Sequence, residues 1–114
     1  MDRTRLLTAV EYMERNFGNR HLTVSDVARA AGLSVFHFSR EFKIAMGKTP
    51  HAYLTQVRLL AAKRLLAHGC RSIESIAITC GYATHPHFTN VFGRGQGCSP
   101  AKYRQLARAG AVSA

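Results

Sequence analysis

At 114 residues the chain can bury one compact domain or two small subdomains, and a hydrophobic fraction of 46% excludes a disordered tail. Sixteen Lys and Arg oppose six Asp and Glu, giving a net charge of +10, and past Asp26 the only acids are Glu41 and Glu74. A polyanion is the expected partner, since each neutralised phosphate releases counterions, whereas a basic surface kept only for solubility is less common at this charge.

No run of the sequence approaches the roughly 20 apolar residues that span a bilayer, so no membrane partner is expected. Charges among the first five residues leave no secretory hydrophobic region. The cysteines at 70, 80 and 98 are odd in number and fit no short CxxC spacing, so a reducing cytoplasm is the expected compartment.

In chain order, Leu6, Leu7, Val10, Met13 and Phe17 recur at helical spacing and predict an amphipathic helix from about Thr4 to Phe17, ended by Gly18 and Asn19. Thr23 or Ser25 caps a short helix to Ala31, with Val24, Val27, Ala28 and Ala31 inward. Gly32 makes the turn. Ser34 caps the next helix, with a core face of Val35, Phe38 and Phe42, and Gly47 stops it. Thr49-Pro50 opens a Leu- and Ala-rich helix to His68 and Gly69, read as a rigid strut. Its roughly 18 residues would span about 27 Å, close to one DNA turn of about 34 Å. Ser72 caps a short helix with Ile73, Ile76, Ala77 and Cys80 inward. Thr84 (or Ala83) starts another, with Phe88, Val91 and Phe92 inward, and a last helix follows Ser99-Pro100 before a fraying tail, ARAGAVSA. The fold is therefore expected to be all-α, about seven helices, with no strand pattern.

One pattern occurs twice. Asp26 to Tyr53 and Ser75 to Tyr103 share a small residue four positions before a glycine, Ala28 and Gly32 against Ala77 and Gly81. Then His37, Phe38, Phe42, Gly47, Pro50 and Tyr53 fall on His87, Phe88, Phe92, Gly97, Pro100 and Tyr103. The register moves by one, which places an extra residue in the second turn. Helix, glycine turn, helix with buried aromatics is a helix-turn-helix, and two of them in a basic chain point to duplex DNA read at two places. The chain is read as one domain, 1–114, with subdomains at 4–48 and 70–114 joined by the helix of 49–69.

With Phe38 and Phe42 inward, the opposite stripe of the first reading helix is Phe36, Ser39, Arg40 and Lys43. Arg40 is the leading base reader, because guanidinium binds guanine O6 and N7 bidentately; the alternatives are a phosphate clamp or an ion pair with Glu41 or Glu14. Phe36 has two even readings, contact with a thymine methyl or the rim of the core. Ser39 is a short donor, and Lys43 suits phosphate. The second stripe is Pro86, Thr89 and Asn90, with His85 at the entrance. Asn90 matches adenine N6 and N7, and the alternative is that Thr89 and Asn90 only face solvent. Gly93, Gly95 and Gly97 predict a shorter or looser second helix, leaving more of the specificity to the first. Helix starts at Thr23, Ser34, Ser72 and Thr84 offer backbone N–H groups to phosphate. Lys48, Arg58, Arg71, Arg94 and Lys102 add charge, although any one of them is more often simply solvated.

Cys80, His85, His87 and Cys98 lack the short ligand spacing of a structural zinc site, and no catalytic constellation is visible. No metal, cofactor or enzymatic activity is expected.

On the segments LTVSDVARAAGLSVFHFSREFKIAMGKTPHAYL and SIESIAITCGYATHPHFTNVFGRGQGCSPAKYR, the chain from about Leu22 to Gln105 resembles the DNA-binding domain of AraC/XylS-type bacterial transcription regulators. The resemblance implies two helix-turn-helix subdomains joined by a long helix and entering adjacent major-groove segments. It implies base contacts at Phe36, Ser39, Arg40, His85, Pro86, Thr89 and Asn90, and a transcription activator as the activity. Pro86, Gly93 and Asn90 depart from the family's usual polar residue, Lys or Arg, and Arg. RNA polymerase is an expected partner, and no small-molecule effector is expected within these residues, which read as either a stand-alone regulator or, the favoured reading, the C-terminal piece of a longer one. The alternatives are a nonspecific DNA-packaging protein, a polymerase-interaction module, or an enzyme with a reactive cysteine, for which Cys80 and Cys98 sit at packing positions.

Overall fold

The computed structural model describes residues 1–111, which form seven helices with no strand among them. These are α1 (Arg3–Asn16), α2 (Val24–Ala30), α3 (Val35–Met46), α4 (Pro50–Ala67), α5 (Ile73–Thr79), α6 (His85–Gln96) and α7 (Pro100–Arg108). The all-α expectation holds. Two compact units divide within α4, Met1–Val57 and Arg58–Ala114.

Unit 1 closes over Ala9, Met13, Leu22, Val27, Ala28, Ala31, Phe38, Phe42 and Leu54. Phe42 sits 5.4 Å from Phe38 and edge-on to Tyr53 at 5.6 Å, ring centre to ring centre. Unit 2 repeats this, with Phe92 5.6 Å from Phe88 and edge-on to Tyr103 at 5.5 Å.

The repeat is longer than the two turn-centred copies suggest. Arg5-Leu6-Leu7 recurs as Arg58-Leu59-Leu60, and Ala9 and Met13 as Ala62 and Leu66. All four of the latter are essentially inaccessible. α1 therefore does for α2 and α3 what the second half of α4 does for α5 and α6. Leu7 and Leu60 are both outward, 50% and 42% exposed, which corrects the inward placing of Leu7. Val35 is likewise outward, 44% exposed, because at the first position of α3 it lies beyond the edge of the core.

Polar side chains set the helix ends. Thr23, not Ser25, caps α2 in a reciprocal box: Asp26 N–H donates to Thr23 Oγ1 at 3.2 Å, and Thr23 N–H donates to Asp26 Oδ2 at 3.0 Å. Ser34, Ser72, Thr84 and Ser99 each accept from the backbone N–H three residues on. α3 and α6 stop at Gly47 and Gly97, φ 77° and 78°. Arginines of α7 donate to carbonyls in the last turn of α4 and just beyond it: Arg104 Nε to Leu66 O at 3.1 Å, and Arg108 to Gly69 O. Ala107 and Arg108 thus belong to α7 and not to a fraying tail, whose residues 112–114 lie outside the described residues.

The expected shortening of the second reading helix does not occur. α3 and α6 both have 12 residues. A Cβ on Gly95 would lie 2.8 Å from Leu59 Cδ1, so this glycine lets α4 and α6 approach and does not loosen the helix end.

Candidate nucleic-acid interface

In each unit a short helix, a glycine turn and a 12-residue helix follow in order, and the turn holds the second helix in place. Gly32 and Gly81 take φ 74° and 90°. The second turn has the extra residue: three positions separate the caps Ala31 and Ser34, and four separate Cys80 and Thr84. In unit 1 a residue missed from sequence clamps the turn. Arg5 Nη1 donates to Ala31 O at 2.7 Å and to Gly32 O at 2.9 Å, satisfying carbonyls at the end of α2.

Gly32→Ala therefore has two penalties, a left-handed backbone and a Cβ 2.7 Å from Arg5 Nη1. Gly47→Ala has only the first, since nothing lies within 4 Å of its Cβ. We expect about 2 kcal/mol for Gly32→Ala and about 1 kcal/mol for Gly47→Ala. Urea denaturation measures both, and Arg5→Ala should erase the difference between them.

α3 turns Phe36, Ser39, Arg40 and Lys43 to one side, opposite Phe38 and Phe42. Phe36 is 78% exposed, which eliminates the core-rim reading. Arg40 and Lys43 are exposed and Ser39 half-buried. Glu41 takes the Met1 amino group at 3.4 Å and His37 Nε2 at 3.7 Å. The Met1 amine, with His37 and Arg40 behind it, holds its carboxyl below the usual range. On α6, His85, Pro86 and Asn90 are exposed and Thr89 half-buried, in the same register as the α3 stripe.

The phosphate candidates divide. Lys43, Arg94 and Lys102 are exposed. Others have partners within the protein: Arg71 Nη1 donates to Thr79 Oγ1 at 2.8 Å, and Lys48 Nζ to Gln56 Oε1. The Arg58 guanidinium lies 5.9 Å from the Tyr82 ring centre. The Thr23 N–H is not free, because Asp26 accepts it. The hydroxyls of Ser34, Ser72 and Thr84 serve as caps.

The four residues weighed as zinc ligands are dispersed in kind. Cys80 is fully buried, Cys98 half-buried, and His85 and His87 exposed, with His87 edge-on to Tyr82 at 5.5 Å. Burial pushes the Cys80 thiol up to about 11, the reverse of a reactive cysteine. The folded unit thus prefers the neutral thiol. Its contribution is fully present below about pH 9, the ordinary thiol value, and is lost as pH rises through about 11. Burial also raises Tyr82 and Tyr103, so they add to the alkaline loss. The urea midpoint should fall between pH 8 and pH 10.5, and fall less in Cys80→Ala.

This pair of turn-held helices has known counterparts. Residues 27–106 match the family model described as a helix-turn-helix domain. The DNA-binding domain of AdpA, a global transcriptional factor solved in complex with a target DNA, superposes with a TM-score of 0.86. It is 30% identical, over 92% of this chain and 94% of that one. A transcriptional regulator from Chromobacterium violaceum, one of the AraC-type DNA-binding domain-containing proteins, gives 0.83 at 31% identity, over 91% and 92% of the two chains. The chain belongs to the AraC-type helix-turn-helix family. Among curated relatives, the AraC-type domain is 37% identical over 98 residues to the bifunctional transcriptional activator/DNA repair enzyme AdaA of Bacillus subtilis. It is 35% identical over 101 residues to the transcriptional activator RhaS of Escherichia fergusonii. These matches cover 86% and 89% of the chain but only 46% and 36% of the relatives, so the chain spans less than half of either. Within the described residues no helix is long and apolar enough to cross a membrane.

Proposed function

We propose that this AraC-type domain binds duplex DNA sequence-specifically and regulates bacterial transcription, as an activator, from the cytoplasm, with α3 and α6 each reading one major-groove segment. The observation that carries this is the matched pair of outward stripes, Phe36-Ser39-Arg40-Lys43 and Pro86-Thr89-Asn90, each on a helix fixed from behind by two buried phenylalanines. Arg40 is assigned to guanine and Asn90 to adenine. Lys43 and Arg94 go to phosphate, and Ser39, Thr89 and His85 to base or phosphate edges. The N-terminal turns of α3 and α6, capped by Ser34 and Thr84, face the backbone of the duplex. RNA polymerase is the partner that activation requires.

Selection of bound duplexes from a random pool tests the reading. Enrichment of a bipartite, asymmetric site supports it. Binding that falls with salt equally for all sequences, without enrichment, favours DNA packaging instead.

A further inference from the structure

In unit 1 the arginine that opens the Arg-Leu-Leu repeat, Arg5, holds the turn by its carbonyls. Its counterpart in unit 2 is Arg58. The second turn follows the first to one residue past its glycine: Leu33 N–H donates to Ala28 O and Tyr82 N–H to Ala77 O, each at 3.0 Å. Tyr82 therefore stands where Leu33 stands, and the extra residue, Ala83, comes after it. Tyr82 is 5% exposed, and its ring lies against the first turn of α6, 5.3 Å from the Phe88 ring and edge-on to His87 at 5.5 Å. Its buried hydroxyl has no hydrogen-bond partner among the described residues, so the ring and not the oxygen makes these contacts. The Arg58 guanidinium lies 5.9 Å from the centre of the same ring, within reach of a cation–π contact. Arg58 is half-buried, whereas Arg40, Lys43 and Arg94 are exposed. A guanidinium committed to this ring fixes Tyr82, and through it the start of α6. The outward His85, Pro86, Thr89 and Asn90 lie on the same two turns of helix as His87 and Phe88. Side chains that read base edges must be held to about 0.5 Å by what supports them.

We propose that Arg58 is a positioning residue for the second reading helix, acting on DNA recognition through the Tyr82 ring and not by meeting phosphate. This rests on α6 being a base-reading helix. The two roles separate by chemistry. A guanidinium is flat and stacks on an aromatic face, whereas the ammonium of lysine is compact and strongly hydrated. Arg58→Lys therefore keeps the charge that a phosphate contact needs and gives up the flat face that the ring contact needs.

Dissociation constants are measured for the best duplex from a random pool and for its single base-pair changes in each box, with urea unfolding to show that each variant is folded at the temperature used. In the box that Arg40→Ala leaves unchanged, Arg58→Lys and Arg58→Ala should both lose about fivefold of the discrimination, the scale of one ring contact. The other box and the salt slope should stay as in wild type. Tyr82→Phe, which keeps the ring, should match wild type. Tyr82→Leu should lose as much as Arg58→Lys, and the double variant no more than either, because the pair acts as one unit. Arg58→Lys opens no large cavity, so it carries the test where Tyr82→Leu does not fold. Arg58→Lys indistinguishable from wild type overturns the proposal. If Arg58→Ala then weakens binding to all sequences alike and lowers the salt slope by about one, the side chain meets phosphate instead. Equal losses of discrimination in both boxes also overturn it, since they do not report the placing of α6. A pool that enriches only one box, or none, overturns base reading by α6 itself, and this proposal with it.

Discussion

Phe42→Ala is expected to remove about 3–5 kcal/mol from unit 1, and Phe92→Ala the same from unit 2. The equality follows from the packing. Each ring is fully buried between a preceding phenylalanine and a tyrosine from the next helix, at distances that agree within 0.2 Å (5.4 and 5.6 Å against 5.6 and 5.5 Å). A unit the size of Met1–Val57 has about 3–9 kcal/mol of stability in total, so either change takes most of it. Amide exchange locates the damage. Protection should collapse across α1 to α3 in Phe42→Ala and across α5 to α7 in Phe92→Ala. Losses spread evenly over all seven helices in both variants would contradict two separate cores.

Arg40→Ala is expected to weaken binding to the selected duplex about five- to 150-fold, about 1–3 kcal/mol. The side chain is exposed, so stability should stay within about 0.5 kcal/mol of wild type. The signature of base reading is where the loss falls. Discrimination should relax at one base pair of one box, while affinity for random duplex drops far less. A uniform drop on all sequences, with the salt slope reduced by about one, would make Arg40 a phosphate clamp instead. Lys43→Ala is the natural comparison, since a phosphate contact predicts that second pattern.

Most of the architecture was legible because the chain punctuates itself. Ser34, Ser72, Thr84 and Ser99 are caps by chemistry, Gly47 and Gly97 are left-handed stops, and paired phenylalanines four apart mark the inward faces. The unread parts were tertiary. Gly95 reads as a helix breaker in isolation, and only the position of Leu59 Cδ1, 2.8 Å from where a Cβ would stand, gives it another purpose. Val35 has the right phase for burial but stands at a helix end where the core has stopped. Arg5 was invisible as a turn clamp because its partners are backbone carbonyls 26 and 27 residues away, which carry no sequence signal. The outward faces of α3 and α6 were legible for the opposite reason: they follow from the phase of the buried phenylalanines, and Phe36, Arg40, Lys43 and Asn90 are exposed as that phase predicts.

The extended repeat makes the architecture open-ended. α4 contributes Leu54 to the first core and Leu59, Ala62 and Leu66 to the second, so one helix finishes a module and begins its successor. α7 starts in the same way, with Pro100 and Tyr103 in the places of Pro50 and Tyr53, and Arg108 falls where Arg58 falls. There it stops, since Ala109 and Gly110 stand where Leu59 and Leu60 open the second module. A cut between Val57 and Arg58 would therefore leave the first module its Leu54 and the second its Leu59, Ala62 and Leu66.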